Sequence, residues 1–270
     1  MDLRYLMLII IIFTIFFKSY YKRKNYKKED FNEVEKNTEE KIHNIKYKEI
    51  IEETIEKTDY VSQDNKTMMQ FFEWYLKSDC KLYEQLKNEA QSLSELGIKA
   101  IWLPPPYKGV SGCNDVGYGI YDLYDLGEFN QKGSINTKYG SKKEYFRSIK
   151  KCHENGIEVY ADIVFNHKAG ADKCEKVMAV EVESFNRNME VGGIKEIEAH
   201  TVFNFEGRND KYSPYKWSAK DFTGVDYDES SKRKGIFKLA GNEWAKNVDS
   251  ENGNYDFLMF ADIDIYSRSV

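Results

Sequence analysis

Cysteine is scarce in this sequence. Four occur in 270 residues, Cys80, Cys113, Cys152 and Cys174, with no C-x-x-C spacing. That excludes a disulfide framework or a zinc site read from spacing, and reduced thiols are expected. Positive charge is not in excess either. Forty Lys and Arg against 45 Asp and Glu leave a net charge of −5. There is no basic field to attract nucleic acid, and no nucleic-acid partner is expected. No apolar run reaches the about 20 residues of a full helical span. The nearest, Leu6 to Phe17, is interrupted only by Thr14 and has no small-x-small cleavage site after it. What the chain does have is aromatic residues, 15% of the total, within a 41% hydrophobic composition. Flat rings suit a packed core and also a cleft for pyranose rings; composition alone favours the core.

The apolar N-terminal run is followed by Lys18, Lys22, Arg23, Lys24, Lys27 and Lys28. Positive charge stays on the cytoplasmic side, so residues 1–17 are expected to be an uncleaved membrane anchor with the folded part in the cytoplasm. An exported, anchored domain is the alternative. Residues 18–66 are rich in Lys, Glu and Asn and read as a charged linker. Within them Ile42, Ile45, Ile51 and Ile55 trace a weak amphipathic face.

From Met68 the pattern becomes globular. Met68 to Tyr75 reads as a first buried strand. Leu82, Leu86, Ala90, Leu93 and Leu96 fall on one helical face, with Gly97 as the stop. Ile98 to Leu103 is a second strand, ended by Pro104-Pro105-Pro106, and a Gly- and Tyr-rich loop follows. Tyr145, Phe146, Ile149 and Cys152 give a second helical face, closed at Asn155-Gly156. Ile157 to Phe165 is a third strand that delivers Asn166 and His167 at its end. Strand, helix, strand, helix, strand predicts a parallel sheet, either doubly wound or the start of an eight-stranded barrel. From Lys168 to Asp264, short runs such as Thr201 to Phe205 and Gly235 to Leu239 alternate with turn residues and read as irregular β structure.

Five separated runs occur in order: Phe71-Phe72-Glu73-Trp74-Tyr75; Asp115 to Gly127; Asp162-Ile163-Val164-Phe165-Asn166-His167; Asn252-Gly253-Asn254-Tyr255-Asp256; and Ala261-Asp262-Ile263-Asp264. Together they resemble the front part of the α-amylase family, in its bacterial branch, over roughly Met68 to Val270. The resemblance implies an α/β fold: the first three strands of a (β/α)8 TIM barrel over 67–167, a β-rich domain inserted after strand three over 168–264, and a return to the barrel over 265–270. It implies retaining hydrolysis of internal α-1,4-glucosidic bonds in starch, glycogen or maltodextrin, so an α-glucan is the expected substrate.

That chemistry needs two carboxyl groups about 5 Å apart across the bond. In the family, these and a third carboxylate come from strands four, five and seven, past the part matched here. Glu73, Asp115, Asp122 and Asp162 match none of them. No catalytic residue is therefore assigned, and the chain alone is expected to be an inactive fragment. The alternatives are a non-catalytic membrane-anchored amylase-like subunit and a pseudogene remnant. By the same resemblance Tyr118 stacks under the sugar at the cleavage point, His167 bonds one of its hydroxyls, and Asp162 supports a buried network behind them. Asn166, Asp256 and Asp262 correspond to ligands of a calcium ion. Thr223, Ala245 and Tyr266 stand where some relatives carry extra metal-binding aspartates, of which only Asp264 remains, so no extra metal cluster is expected.

Overall fold

The computed structural model describes residues 67–245 and 258–267. Its elements, in chain order, are β1 (Thr67–Gln70), α1 (Leu82–Glu95), β2 (Ile98–Leu103), β3 (Lys108–Gly109), β4 (Ile120–Asp122), α2 (Lys142–Glu154) and β5 (Glu158–Ala161). There follow β6 (His167–Lys168), β7 (Lys173–Val182), β8 (Lys195–Val202), β9 (Phe222–Asp228), β10 (Arg233–Leu239) and β11 (Ala261–Ile263). They form a parallel sheet β1-β2-β5, a small antiparallel pair β3-β4, and a sheet in the order β6-β11-β9-β10-β7-β8. Every pairing recorded within that last sheet is antiparallel.

The two helices cover the parallel sheet because each has one apolar stripe. On α1 this is Leu82, Leu86, Ala90 and Leu93, joined by the fully buried Tyr83. Burying each Leu contributes about 1.5–3 kcal/mol. Leu96 departs from the expected face. It is the C-cap of α1 and 79% exposed, because Gly97 at φ +87° has already turned the chain away. On α2, Tyr145 and Cys152 are buried, with Phe146 and Ile149 half-buried beside them. Ser141 starts α2 with a capping box: its hydroxyl accepts from Glu144 N, and the Glu144 carboxylate accepts from Ser141 N.

The second strand has the predicted bounds, Ile98–Leu103. The first is shorter and exposed. It bonds only to β2, so its other edge is open among the described residues. The third stops at Ala161 rather than Phe165. Asp162 N still donates to Leu103 O at 3.0 Å, but beyond Leu103 the partner chain is Pro104-Pro105-Pro106, which has no N–H to offer. Asn166 and His167 therefore lie past the parallel sheet, and His167 enters the antiparallel one as β6.

The antiparallel sheet encloses a second core that includes Tyr121, Phe203, Phe205, Phe222, Phe237 and Ile263. Its strands are longer than the short runs in the sequence suggest. β7 alone covers ten residues, with Ala179, Val180 and Val182 buried.

The expected membrane anchor is corrected. No helix among the described residues is long and apolar enough to cross a membrane. The run Leu6 to Phe17 lies outside them. The membrane partner and the anchored placement, cytoplasmic or exported, are set aside with it.

Candidate functional site

The loop between β3 and β4 is built around Asp115. Its carboxylate accepts from the backbone N–H groups of Ser111 (3.2 Å), Gly117 (2.8 Å) and Gly119 (3.3 Å). Gly117 has φ +103°, and a Cβ there would lie 2.6 Å from Pro105 Cβ, so the turn tolerates no side chain at that point. Tyr118 lies at the end of this loop, two residues before β4.

Two residues of the later segment 162–167 fix that tyrosine. Its hydroxyl donates to Asp162 Oδ2 at 2.7 Å. Its carbonyl is 2.8 Å from His167 Nε2. A carbonyl only accepts, so Nε2 carries the proton and Nδ1 is left as an acceptor, 3.4 Å from Asn166 Nδ2. Burial pushes the His167 pKa below its ordinary value, against the opposing pull of the Tyr118 carbonyl and Asp226. Burial, and then the bond to Asp162 with its charge, push the Tyr118 phenol up, so it remains a donor. The Trp74 ring lies nearly parallel to that of Tyr118, with centroids 5.9 Å apart and planes 10° from each other. Trp74 is 59% exposed. The result is an aromatic surface backed by a neutral imidazole and a carboxylate, which suits the apolar face and hydroxyl rim of a sugar ring.

Tyr118, from one run, and Asp162 and His167, from another, thus meet in space. His167 directs its Nε2–H at Tyr118. Glu73, Asp115 and Asp122 are engaged elsewhere. Glu73 accepts from Tyr75 N and Asp115 holds its own loop. Asp122 accepts from Arg208 Nε (2.8 Å), Gln131 Nε2 (3.0 Å) and Tyr124 N (3.1 Å).

Asn166 and Asp262 lie close together where β6 meets β11. His167 pairs with Asp262, and Ile263 N donates to Asn166 O at 2.9 Å. Asp262 is buried and accepts from the hydroxyl of Thr223, one of the positions that lack an aspartate. Asp256, Asn252 and Asn254 are outside the described residues. Among the described residues no group of three or more His, Cys, Asp or Glu is arranged to hold a metal ion. Asn166 and Asp262 are hard oxygen donors of the type calcium prefers, but two fall short of the about six to eight that it takes.

A buried polar network behind the loop was missed by sequence reasoning. Asp125 accepts from the N–H groups of Gly127, Glu128 and Phe129, and from Gln131. Lys108 lies 3.4 Å from Asp125 and donates to the carbonyls of Phe129, Ser134 and Ile135. Through Gln131 and Asp122 the network reaches Arg208, which comes after β8. Lys168, beside His167, was missed too. It is buried with its ammonium 4.8–5.3 Å from the rings of Trp217, Phe205 and Phe203, and burial pulls its pKa down to about 7. The usable signal was the pair of aspartates three apart in Asp122-Leu123-Tyr124-Asp125, within a turn-rich run.

Known proteins resemble this chain over part of its length. The family described as alpha amylase, catalytic domain, matches residues 86–219. An alpha-amylase of Geobacillus stearothermophilus is 56% identical over 74% of this chain and 37% of its own length. A protein of Escherichia coli (strain K12) named cytoplasmic alpha-amylase is 42% identical over 76% of this chain and 42% of its own. The chain therefore spans about two fifths of the curated relatives it matches. A solved structure, truncated alternansucrase from Leuconostoc mesenteroides, overlaps 58% of this chain and 15% of its own at 22% identity, with a TM-score of 0.47. The fold is α/β of the TIM-barrel type that the family match implies.

Proposed function

For a chain that belongs to the α-amylase family of glycoside hydrolases, we propose a part in the retaining endo-hydrolysis of α-1,4-glucosidic bonds in starch, glycogen or maltodextrin. Residues 67–167 supply the first three barrel strands, 168–264 a β-rich domain inserted after the third, and 265–270 the return toward the barrel. This part of the fold contributes one wall of the substrate cleft. The sugar at the cleavage point packs on the ring of Tyr118, with Trp74 extending the platform. His167 and Asp162 hold Tyr118 in place and border the sugar's hydroxyls. The acid and nucleophile that flank the bond at about 5 Å in this chemistry are not assigned to any residue of this chain. The observation that carries the reading is the convergence of Trp74, Tyr118, Asp162 and His167 from three separate runs.

The test has two arms. The 270-residue chain alone is expected to release no reducing sugar from soluble starch. A chimera joining residues 67–267 to the remaining C-terminal part of the Geobacillus stearothermophilus relative is expected to release it. A chimera that melts cooperatively yet leaves starch intact would refute the proposal.

Calcium belongs to the same reading, held by Asn166, Asp256 and Asp262 with further oxygens from outside this set. Bound there, the ion would neutralise the buried Asp262 and tie β6 to β11. Added calcium is expected to raise the chimera's melting temperature, and the Asp262→Asn variant to lose that increase. A melting temperature indifferent to calcium and chelator would remove the ion from the site.

A further inference from the structure

Lys108 holds its charge in the interior: its side chain and that of Asp125 are both 0% exposed. The ammonium donates to the carbonyls of Ile135 (2.6 Å), Ser134 (2.7 Å) and Phe129 (3.1 Å), and Asp125 Oδ2 lies 3.4 Å away. Three carbonyls that only accept meet three N–H groups, so the nitrogen bears its full charge, and the carboxylate balances it. Burial pulls the Lys108 pKa down, and Asp125 opposes that pull. Hard oxygens in place of hydration water are what a protein builds around a bound cation. Here the cation is tethered to β3. The same shell borders the loop that carries Tyr118. A Cβ on Gly112 would lie 2.3 Å from Lys132 O, so the loop touches the shell segment at that point. Further on, the Tyr139 hydroxyl donates to Val116 O at 2.8 Å, two residues before Tyr118.

We propose that Lys108 is an internal substitute for a metal ion, whose ammonium folds residues 125–135 around itself and through them positions Tyr118. Without the charge, three carbonyls and a carboxylate would face one another in the interior, each a buried acceptor short of a donor. The segment would open to water, and the wall against Gly112 would move with it. Asp115 would still close its own turn through three backbone N–H groups. The change therefore falls on where the Tyr118 loop sits, not on whether it forms. Lys108 is in this sense a positioning residue, acting on Tyr118 through the backbone. The shell is also a site in its own right. With the side chain cut back to alanine, the space and the oxygens that remain fit a primary alkylammonium ion of three carbons, which replaces the missing methylenes and the charge.

The full chain and its Lys108→Ala variant are compared by amide hydrogen exchange, read peptide by peptide by mass spectrometry. In the variant, residues 110–119 and 125–137 are expected to exchange at least about tenfold faster, while α1 keeps its parent rates. Propylammonium should restore slow exchange in both segments. It should also raise the variant's urea midpoint with the logarithm of its concentration and leave the parent unmoved. Tetramethylammonium, a cation with no N–H, should do neither. Lys108→Met keeps the stem without the charge. It should exchange as fast as Lys108→Ala and ignore propylammonium, because its stem fills the space. Parent-like exchange in Lys108→Met would overturn the proposal, and so would a Lys108→Ala protein indifferent to propylammonium. Should Lys108→Ala not fold by itself, a cooperative urea transition regained with propylammonium supports the proposal, and none regained overturns it. Every readout is made without glucan, so a chimera that leaves starch intact would refute the hydrolytic reading and leave this one standing.

Discussion

Arg208→Met is expected to lower the unfolding free energy of the chain by about 3–5 kcal/mol, read as a drop in the urea midpoint at constant slope. Both partners of the Arg208–Asp122 pair have side chains 1% exposed, with Nε and Oδ2 2.8 Å apart. The guanidinium also donates to the carbonyls of Lys211 and Ser213, each at 2.6 Å, and lies over the rings of Tyr124 and Phe205. Methionine fills much of the volume but supplies neither charge nor donors. The Asp122 carboxylate would then be left in the interior with only Gln131 and one backbone N–H. The cost comes from that stranded anion more than from the lost attraction. The double variant Arg208→Met, Asp122→Leu removes the anion and should therefore recover part of the loss. A single-variant loss below about 1 kcal/mol would show that water reaches Asp122 and that the network is not a buried strut.

The network also marks the limit of what the sequence makes legible. Local elements could be read because their signals are local. The spacing of Leu82, Leu86, Ala90 and Leu93 demands one buried face, and α1 has it. Ile98–Leu103 ends where three prolines remove the donors that its neighbour would need. The same prolines shorten β5, a consequence one strand away that periodicity within Ile157 to Phe165 cannot reveal. Arg208 and Asp122 are 86 positions apart, and neither belongs to a periodic run, so nothing local pairs them.

The candidate site divides in the same way. Tyr118, Asp162 and His167 were found through wording shared with a family, and the fold brings them into contact. That His167 turns its Nε2–H toward a backbone carbonyl was not visible, because backbone positions carry no letter in a sequence. The shell around Lys108 was invisible for the same reason, since its partners are the carbonyls of Phe129, Ser134 and Ile135.

His167→Ala in the chimera is expected to lower kcat/KM on starch by about 100-fold or more, with the melting temperature little changed. The imidazole is the group that bonds the Tyr118 carbonyl, while Asp162 bonds the hydroxyl at the other end of the same residue. With alanine, the carbonyl end of Tyr118 loses its anchor and the loop pivots about Asp162. A displacement of about 1 Å under the reacting sugar is enough for a loss of that size. The effect should fall mainly on kcat, since Trp74 and the rest of the platform still bind glucan in the ground state. His167→Gln retains an N–H that can reach the carbonyl and should recover part of the rate. A His167→Ala, Tyr118→Ala double variant should be little worse than Tyr118→Ala alone, because both changes act through the position of one ring. If His167→Ala stays within about twofold of the parent, the ring does not depend on the imidazole, and Asp162 with the Asp115 turn suffices to hold it.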